Sequence, residues 1–271
     1  MGLAIRAELR KFFTTRMWWG MALAMFLASV AFALLFAFLV AGAEMGAPGS
    51  GAARAPGLDN PEMVKMVYTS GASVGYLLTL AVGILIIGSE YRHKTITSTF
   101  LATPRRAVVM GAKMIALVCI GAFYGLVSLV GSIGTGAAII LARGHSPFPD
   151  SSIWRSLAMV LLVLALWALI GLGAGILIPN QVAALLVSIG IAWIVEPILG
   201  TIVAGQSWGR SVAPYFPSNA TNAMLSIDSA AMGASSAYTP LVWWVAALVL
   251  VAYAAVMAGV GTVLTIRKDI V

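Results

Sequence analysis

Residues 17–43 contain not one charged side chain. A helix crosses a bilayer core of roughly 30 Å with about 20 apolar residues, so this run is long enough to span. Five further stretches meet the same test: 66–89, 114–141, 156–178, 182–204 and 240–266. Each is too long for a strand, and none alternates polar with apolar residues as barrel strands do. The expected fold is therefore all-α, a single transmembrane domain over 1–271 with six spans. Composition agrees. Only 9% of the residues are charged and 61% are hydrophobic, whereas a soluble domain carries roughly 25% charged residues. That excludes a soluble enzyme, and the apolar excess excludes a disordered chain.

Ala41-Gly42-Ala43 resembles a signal-peptide cleavage site. The apolar core of such a peptide is about 7–15 residues. The run here is roughly twice that length, so a retained first span is expected. Cys119 stands alone in an apolar run and is expected to be a small buried hydrophobe rather than half of a disulfide.

Lys and Arg placement sets the expected orientation. Of the 16 such residues, eleven lie before span one, between spans two and three, or after span six. The five others, Arg54, Lys65, Arg143, Arg155 and Arg210, lie on the alternate side. Both termini and the second connection are thus expected in the cytoplasm. The net charge of +7 then points to anionic lipid or partner proteins and not to nucleic acid.

Residues 1–16 read as more than a flank. Ile5, Leu9, Phe12 and Phe13 recur at helical spacing, with Arg6, Arg10 and Thr14 on another face. That pattern predicts an amphipathic helix lying in the cytoplasmic interface with its arginines towards lipid headgroups; a plain basic flank is the alternative. Trp18 and Trp19 follow at the membrane boundary.

The connection 90–113 is the most informative. It opens with Glu90, Tyr91, Arg92, His93, Lys94 and Thr95, continues through the mildly apolar Ile96, Phe100 and Leu101, and closes on Pro104, Arg105 and Arg106. Apolar side chains between charged ends make a docking surface; a patch against lipid headgroups is the simpler alternative. The turn Pro179-Asn180-Gln181 is minimal. The external loop 44–65, rich in Gly, Ala and Pro, is expected to be flexible. Residues 205–239 are too apolar for a solvated loop and too interrupted by Pro214 and Pro217 to span. They are expected to form short helices lying in, or re-entering, the outer leaflet, where backbone is tolerated if protein or a wet cavity covers it.

Glu196 lies fifteen residues beyond Gln181, about 22 Å along a helix at roughly 1.5 Å per residue, and therefore in the outer half of the bilayer. A charge at that depth must be protonated, paired or facing water. Pro197 removes a backbone donor and favours a kink. Glu196 is accordingly either a gate or cavity-lining group, or a structural carboxyl that hydrogen-bonds freed backbone or the segment after span five.

In this order and spacing, the N-terminal helix, the Glu90-to-Arg106 connection, the Pro179-Asn180-Gln181 turn and a fifth span ending Val195-Glu196-Pro197 resemble the ABC-2 family of ATP-binding-cassette transporter permeases. Ala213-Pro214-Tyr215-Phe216-Pro217 resembles the Tyr-Leu-Pro element of actinobacterial members, with Phe216 in place of Leu. The resemblance covers nearly the whole chain. It implies a coupling helix within 90–106 that docks on a separate nucleotide-binding ATPase, with Glu90, Tyr91, Arg92, Thr95, Phe100, Pro104, Arg105 and Arg106 as its candidate residues. It implies that residues 1–16, with Arg6, Arg10, Phe12 and Phe13, form the connecting helix. It implies re-entrant helices after span five, with Glu196, Pro197, Tyr215 and Phe216 at the pathway or gate. The functional unit would hold two permeases and two ATPases in a bacterial plasma membrane.

No Gly-x-x-x-x-Gly-Lys-Ser/Thr occurs in the chain, so no phosphate cradle is expected; ATP and Mg2+ would sit on the partner ATPase. The sequence has neither a His-Glu-x-x-His nor a Gly-x-Ser-x-Gly motif, and its two histidines fall on opposite sides, so neither a zinc site nor a serine-hydrolase site is expected. The expectation is an exporter permease. The rival is an ion-coupled secondary transporter built on Glu196, although the elaborate second connection has no counterpart between spans five and six, against the two-halves pattern of such folds. A non-transporting scaffold is a third option. The spans as delimited carry one carboxylate and no basic residue, which favours an apolar or amphipathic cargo such as a drug, lipid or natural product. Tryptophans 193, 208, 243 and 244 are potential platforms for a sugar polymer.

Overall fold

The computed structural model describes residues 1–44, 56–93, 95, 106–225 and 238–267, and these contain helices and turns but no strand. The helices are α1 (Gly2–Thr14), α2 (Met17–Glu44), α3 (Pro61–Thr69), α4 (Ala72–Arg92), α5 (Arg106–Ala142), α6 (Ser152–Leu177), α7 (Gln181–Gly190), α8 (Glu196–Ala204), α9 (Pro217–Leu225) and α10 (Trp243–Arg267). A π-helical turn, Ile191–Val195, joins α7 to α8. Six stretches are long and apolar enough to cross a membrane: Met17–Gly42, Pro61–Arg92, Ala107–Ala142, Ser152–Leu177, Gln181–Ala204 and Trp243–Val263. The protein is a multi-span helical membrane protein.

Local chemistry explains the helix boundaries. Asn60 caps α3 by accepting from the Glu62 amide at 2.9 Å, with Pro61 in the first turn, where a missing N–H costs nothing. Asn180 does the same for α7, accepting from the Val182 and Ala183 amides at 3.0 and 3.1 Å. The Pro-Asn-Gln turn is thus a helix start. Beyond the end of α5, Gly144 adopts φ +78°. Its amide bonds to Leu141 and that of His145 to Ile140, a closure that needs the left-handed conformation glycine tolerates.

Several boundaries differ from those expected. Residues 61–65, assigned to a loop, are helical because Asn60 and Pro61 start α3 before the apolar run begins. Lys65 consequently lies inside the fold, 2.7 Å from Glu62. Residues 106–113 likewise belong to α5 and not to the connection before it, so that helix carries a lysine, Lys113. Cys119, expected to be buried, is exposed. It shares an outward apolar surface with Ile115, Val118 and Leu126.

The centre of the bundle is α4 against α6. Of the most apolar window of α6, 72% is buried, against 11% for the α7–α8 span. The approach is that close because glycines face backbone. A Cβ on Gly171 would overlap the Leu80 carbonyl oxygen, and one on Gly83 would overlap the Ala168 carbonyl oxygen. Close approach of small residues is how helices gain contact where no water is present to drive them together. In α5, Gly121 and Gly125 lie against α6, Gly131 against α2 and Gly136 against α3, while Gly134 meets nothing. The helices α2, α7, α8 and α10 form the periphery, exposing large side chains such as Leu27, Leu186, Ile198 and Val256.

Gly171→Ala should therefore exceed the usual overpacking cost of about 1–3 kcal/mol, because the obstacle is backbone. Gly134→Ala should be neutral, or stabilising by up to about 1 kcal/mol through helix propensity. Thermal unfolding of the two variants in detergent checks the contrast.

Candidate functional site

Four ionisable side chains meet where α1 crosses the ends of α4 and α5. Lys113, in the second turn of α5, is 1% exposed. Its Nζ donates to Glu8 of α1 at 2.5 Å and to Glu90 of α4 at 2.8 Å. Lys11 of α1 donates to the same carboxylates, at 2.7 Å to Glu8 and 3.3 Å to Glu90. Glu8 and Glu90 are 8% and 7% exposed. Two acids and two lysines balance, as burial of charge requires.

The aromatic residues of the N-terminal segment hold α1 in place. Glu8 and Phe12 are four residues apart, on the face that packs on α5, and both are buried. The Phe12 ring meets Tyr124 edge to face at 6.1 Å, and Phe13 meets Phe123 at 5.6 Å and Trp18 at 5.8 Å. The Tyr124 hydroxyl donates to the Trp18 carbonyl. Such pairs each add about 0.5–1.5 kcal/mol beyond burial.

Burial opposes ionisation of Glu8, yet the Lys113 charge and the hydrogen bonds from both lysines outweigh it, leaving the carboxyl below its usual 4.5. Burial likewise opposes the charge on Lys11. The Glu8 hydrogen bond and the Glu90 charge reverse that, and Lys11 lies above its usual 10.5. Beside the cluster lies a cavity of about 470 Å³, lined among others by Lys11, Phe12, Met17, Ile86, Glu90 and Thr95.

Other expected residues are dispersed. Tyr91 packs against the buried cluster that includes Ile87, Val109 and Met110. Arg92 is exposed at the end of α4, as are Arg6 and Arg10 on α1. Thr95 is exposed and Phe13 is 39% exposed. Phe100, Pro104 and Arg105 lie outside the described residues; Arg106 opens α5, and its side chain lies outside them too. Glu8 was not singled out from sequence, nor was Lys113 as its partner. The available signal was one acid in a basic amphipathic helix, one turn before Phe12.

Glu196 sits in a second arrangement. Its Oε1 accepts from the Ser218 amide at 2.6 Å and from the Ser218 hydroxyl at 2.7 Å, placing a carboxyl at the N-terminus of α9, where the helix dipole favours it. The kink expected at Pro197 takes the form of the π turn. The Glu196 amide bonds to Ile191, five residues back, which widens one turn ahead of the proline. Around it, Trp167 Nε1 donates to Thr221 at 2.9 Å, and the Trp167 ring lies tilted at 41° against Tyr76 with centroids 4.6 Å apart. Asn219 donates to the Ala213 carbonyl. Pro197 and Tyr215 are exposed, and Phe216 packs beside Gly200.

The chain matches no protein-family model and no curated protein sequence.

The lowered Glu8 value means that α1 docking is fully supported above 4.5 and weakens as pH falls through the folded value. The raised Lys11 value means support that is complete below 10.5 and fades above it. Protection of α1 amides relative to their intrinsic exchange rates should therefore be greatest between those limits and fall outside both. Lys113→Met, which leaves two buried carboxylates with one partner, should cost about 3–5 kcal/mol, read as loss of α1 protection and a lower unfolding temperature. In the second arrangement, Glu196→Ala should release α9 at a cost of about 1–3 kcal/mol. Glu196→Gln, which keeps an acceptor oxygen, should cost less; exchange of α9 amides separates the two.

Proposed function

We propose that the chain is the permease subunit of an ATP-driven exporter. It would form a transmembrane pathway as a dimer and draw energy from two separate ATPase subunits, with both termini and the 93–106 connection in the cytoplasm. The observation that carries this reading is the tie between Glu90 and Lys113. These residues flank the 93–106 connection, Glu90 in the last turn of α4 and Lys113 in the second turn of α5, and both bind α1. A load applied to that connection would pass into α4, α5 and α1 together. Glu90 faces inward, so its part in coupling is to hold the helices, while Arg92, Phe100, Pro104, Arg105 and Arg106 are left to meet the ATPase. The resemblance to ABC-2 permeases supplies the direction of transport and the expectation of an apolar or amphipathic cargo.

A second reading, an ion-coupled transporter, draws on the partly buried Glu196 between α8 and α9. The two predict different variants to fail. Under the exporter reading, gentle purification from the native membrane brings down a nucleotide-binding ATPase near one-to-one. Reversing the charges of Arg105 and Arg106, or Glu90→Ala, then abolishes ATP-dependent transport while the chain still inserts. Proton-gradient-driven transport abolished by Glu196→Gln, with no need of ATP, would replace it with the second.

A further inference from the structure

Glu8, Glu62 and Glu90 each have a lysine ammonium within 2.8 Å. Glu196 forms no ion pair with a lysine or arginine among the described residues, although it lies inside a span, Gln181–Ala204. A carboxylate in a bilayer needs a counter-charge, a proton or water. Both hydrogen bonds it accepts come from Ser218 and fall on Oε1. Oε2 meets no donor among the described residues, and unlike the enclosed Oε2 of Glu90 it belongs to a half-buried side chain and is not sealed. The surroundings are aromatic. Ser218 and Thr221 are three residues apart on α9 and share a face. The first holds Glu196, and the second accepts from Trp167 Nε1. The Trp167 ring lies 4.6 Å from that of Tyr76, and the Glu196 charge acts on the phenols of both Tyr76 and Tyr253. Rings from α4, α6 and α10 thus gather beside one carboxyl. Tyr76 is 7% exposed and Tyr253 38%, so the arrangement has an inner wall and an open side. Aromatic faces attract cations, and most strongly where water is excluded. A bound metal ion would need several oxygen or nitrogen ligands, and no group of three His, Cys, Asp or Glu occurs among the described residues.

We propose that Glu196, Tyr76, Trp167 and Tyr253 form a binding site for an amphipathic organic cation, an ammonium or phosphonium with apolar substituents. The cationic centre meets Glu196 Oε2, and the substituents lie against the rings. Such a ligand brings the counter-charge that the chain itself omits at this position. Ser218 keeps hold of Oε1 meanwhile, so α9 stays docked while Oε2 changes partner. As a statement of cargo class this rests on the exporter reading; as a statement of binding it does not.

Equilibrium dialysis of the full chain in nanodiscs of zwitterionic lipid tests this with two probes of one shape and opposite charge, tetraphenylphosphonium and tetraphenylborate, each corrected for uptake by empty nanodiscs. Wild type should bind one tetraphenylphosphonium per chain saturably and show no saturable uptake of tetraphenylborate. Glu196→Gln keeps an acceptor for Ser218 but removes the charge. Affinity for the cation should then fall about tenfold, as for loss of one charge-assisted contact, while α9 amides stay protected from exchange. Tyr253→Leu changes no charge and leaves the Glu196–Ser218 contact alone; loss of one ring should weaken the cation about threefold. Wild type that takes up both probes alike, or neither saturably, would overturn the proposal and assign Oε2 to a proton. Cation binding unchanged in both variants would overturn it in favour of a site elsewhere on the apolar surface. Because binding is read without transport, a chain that purifies without an ATPase yet binds the cation as stated would defeat the exporter reading and uphold the site.

Discussion

An ammonium that is 1% exposed has to be answered by carboxylates, and the answer Lys113 receives organises one end of the molecule. One carboxylate comes from α1 and the other from α4, so a single buried charge fixes three helices relative to one another. Removing solvent raises the strength of each pair and the penalty for breaking any of them. The N-terminal helix is therefore not held as an isolated amphipathic segment would be, by headgroups alone. It is built into the bundle through Glu8 and clamped by the Phe12, Phe13, Phe123, Tyr124 and Trp18 rings.

A different constraint governs the middle of the bundle. Without water there is little hydrophobic gain from bringing two apolar helices together, so contact has to come from shape. The glycines at 83, 171 and 175 let α4 and α6 meet at backbone distance, and buried hydroxyls tie the helices beside them. Ser29 and Ser128 pair at 2.8 Å across α2 and α5, and Ser132 donates to the Tyr68 carbonyl at 2.7 Å. Those bonds surround the break between α3 and α4, where a Cβ on Gly71 would crowd Ser29 and Ser128.

Hydropathy made the six spans legible because a run without charges needs no knowledge of its neighbours. The same local reasoning found α1 and the short helices after span five, as well as the disturbance ahead of Pro197. It could not pair Glu8 with Lys113, 105 residues away, and in a basic segment Glu8 reads as another solvated charge. Nor could it separate a lipid-facing residue from a core one, since both are apolar; Cys119 was misassigned for that reason. The early start of α3 was readable in Asn60-Pro61-Glu62, but a window tuned to apolar length stops at the charges of Glu62 and Lys65. Glu196 was readable as a residue in need of a partner. That the partner is Ser218, at the start of a helix 22 residues on, depends on how the chain returns.

These constraints also say where the molecule is able to move. Rotation of α4 against α6 would drive Gly83 and Gly171 off their facing carbonyls, and separation of α4 from α5 would strand Lys113 with one carboxylate. Both motions oppose the strongest features of the fold, so α4, α5 and α6 behave as one body. The α7–α8 segment, by contrast, is tied chiefly at its ends, by the Asn180 cap and by Glu196 on Ser218, and a π turn between them is a place where a helix changes register at low cost. Any conformational cycle that begins at the 93–106 connection therefore has a rigid lever in α4 and α5. Its compliant element is the α7–α8 span, with the Glu196–Ser218 contact at the joint.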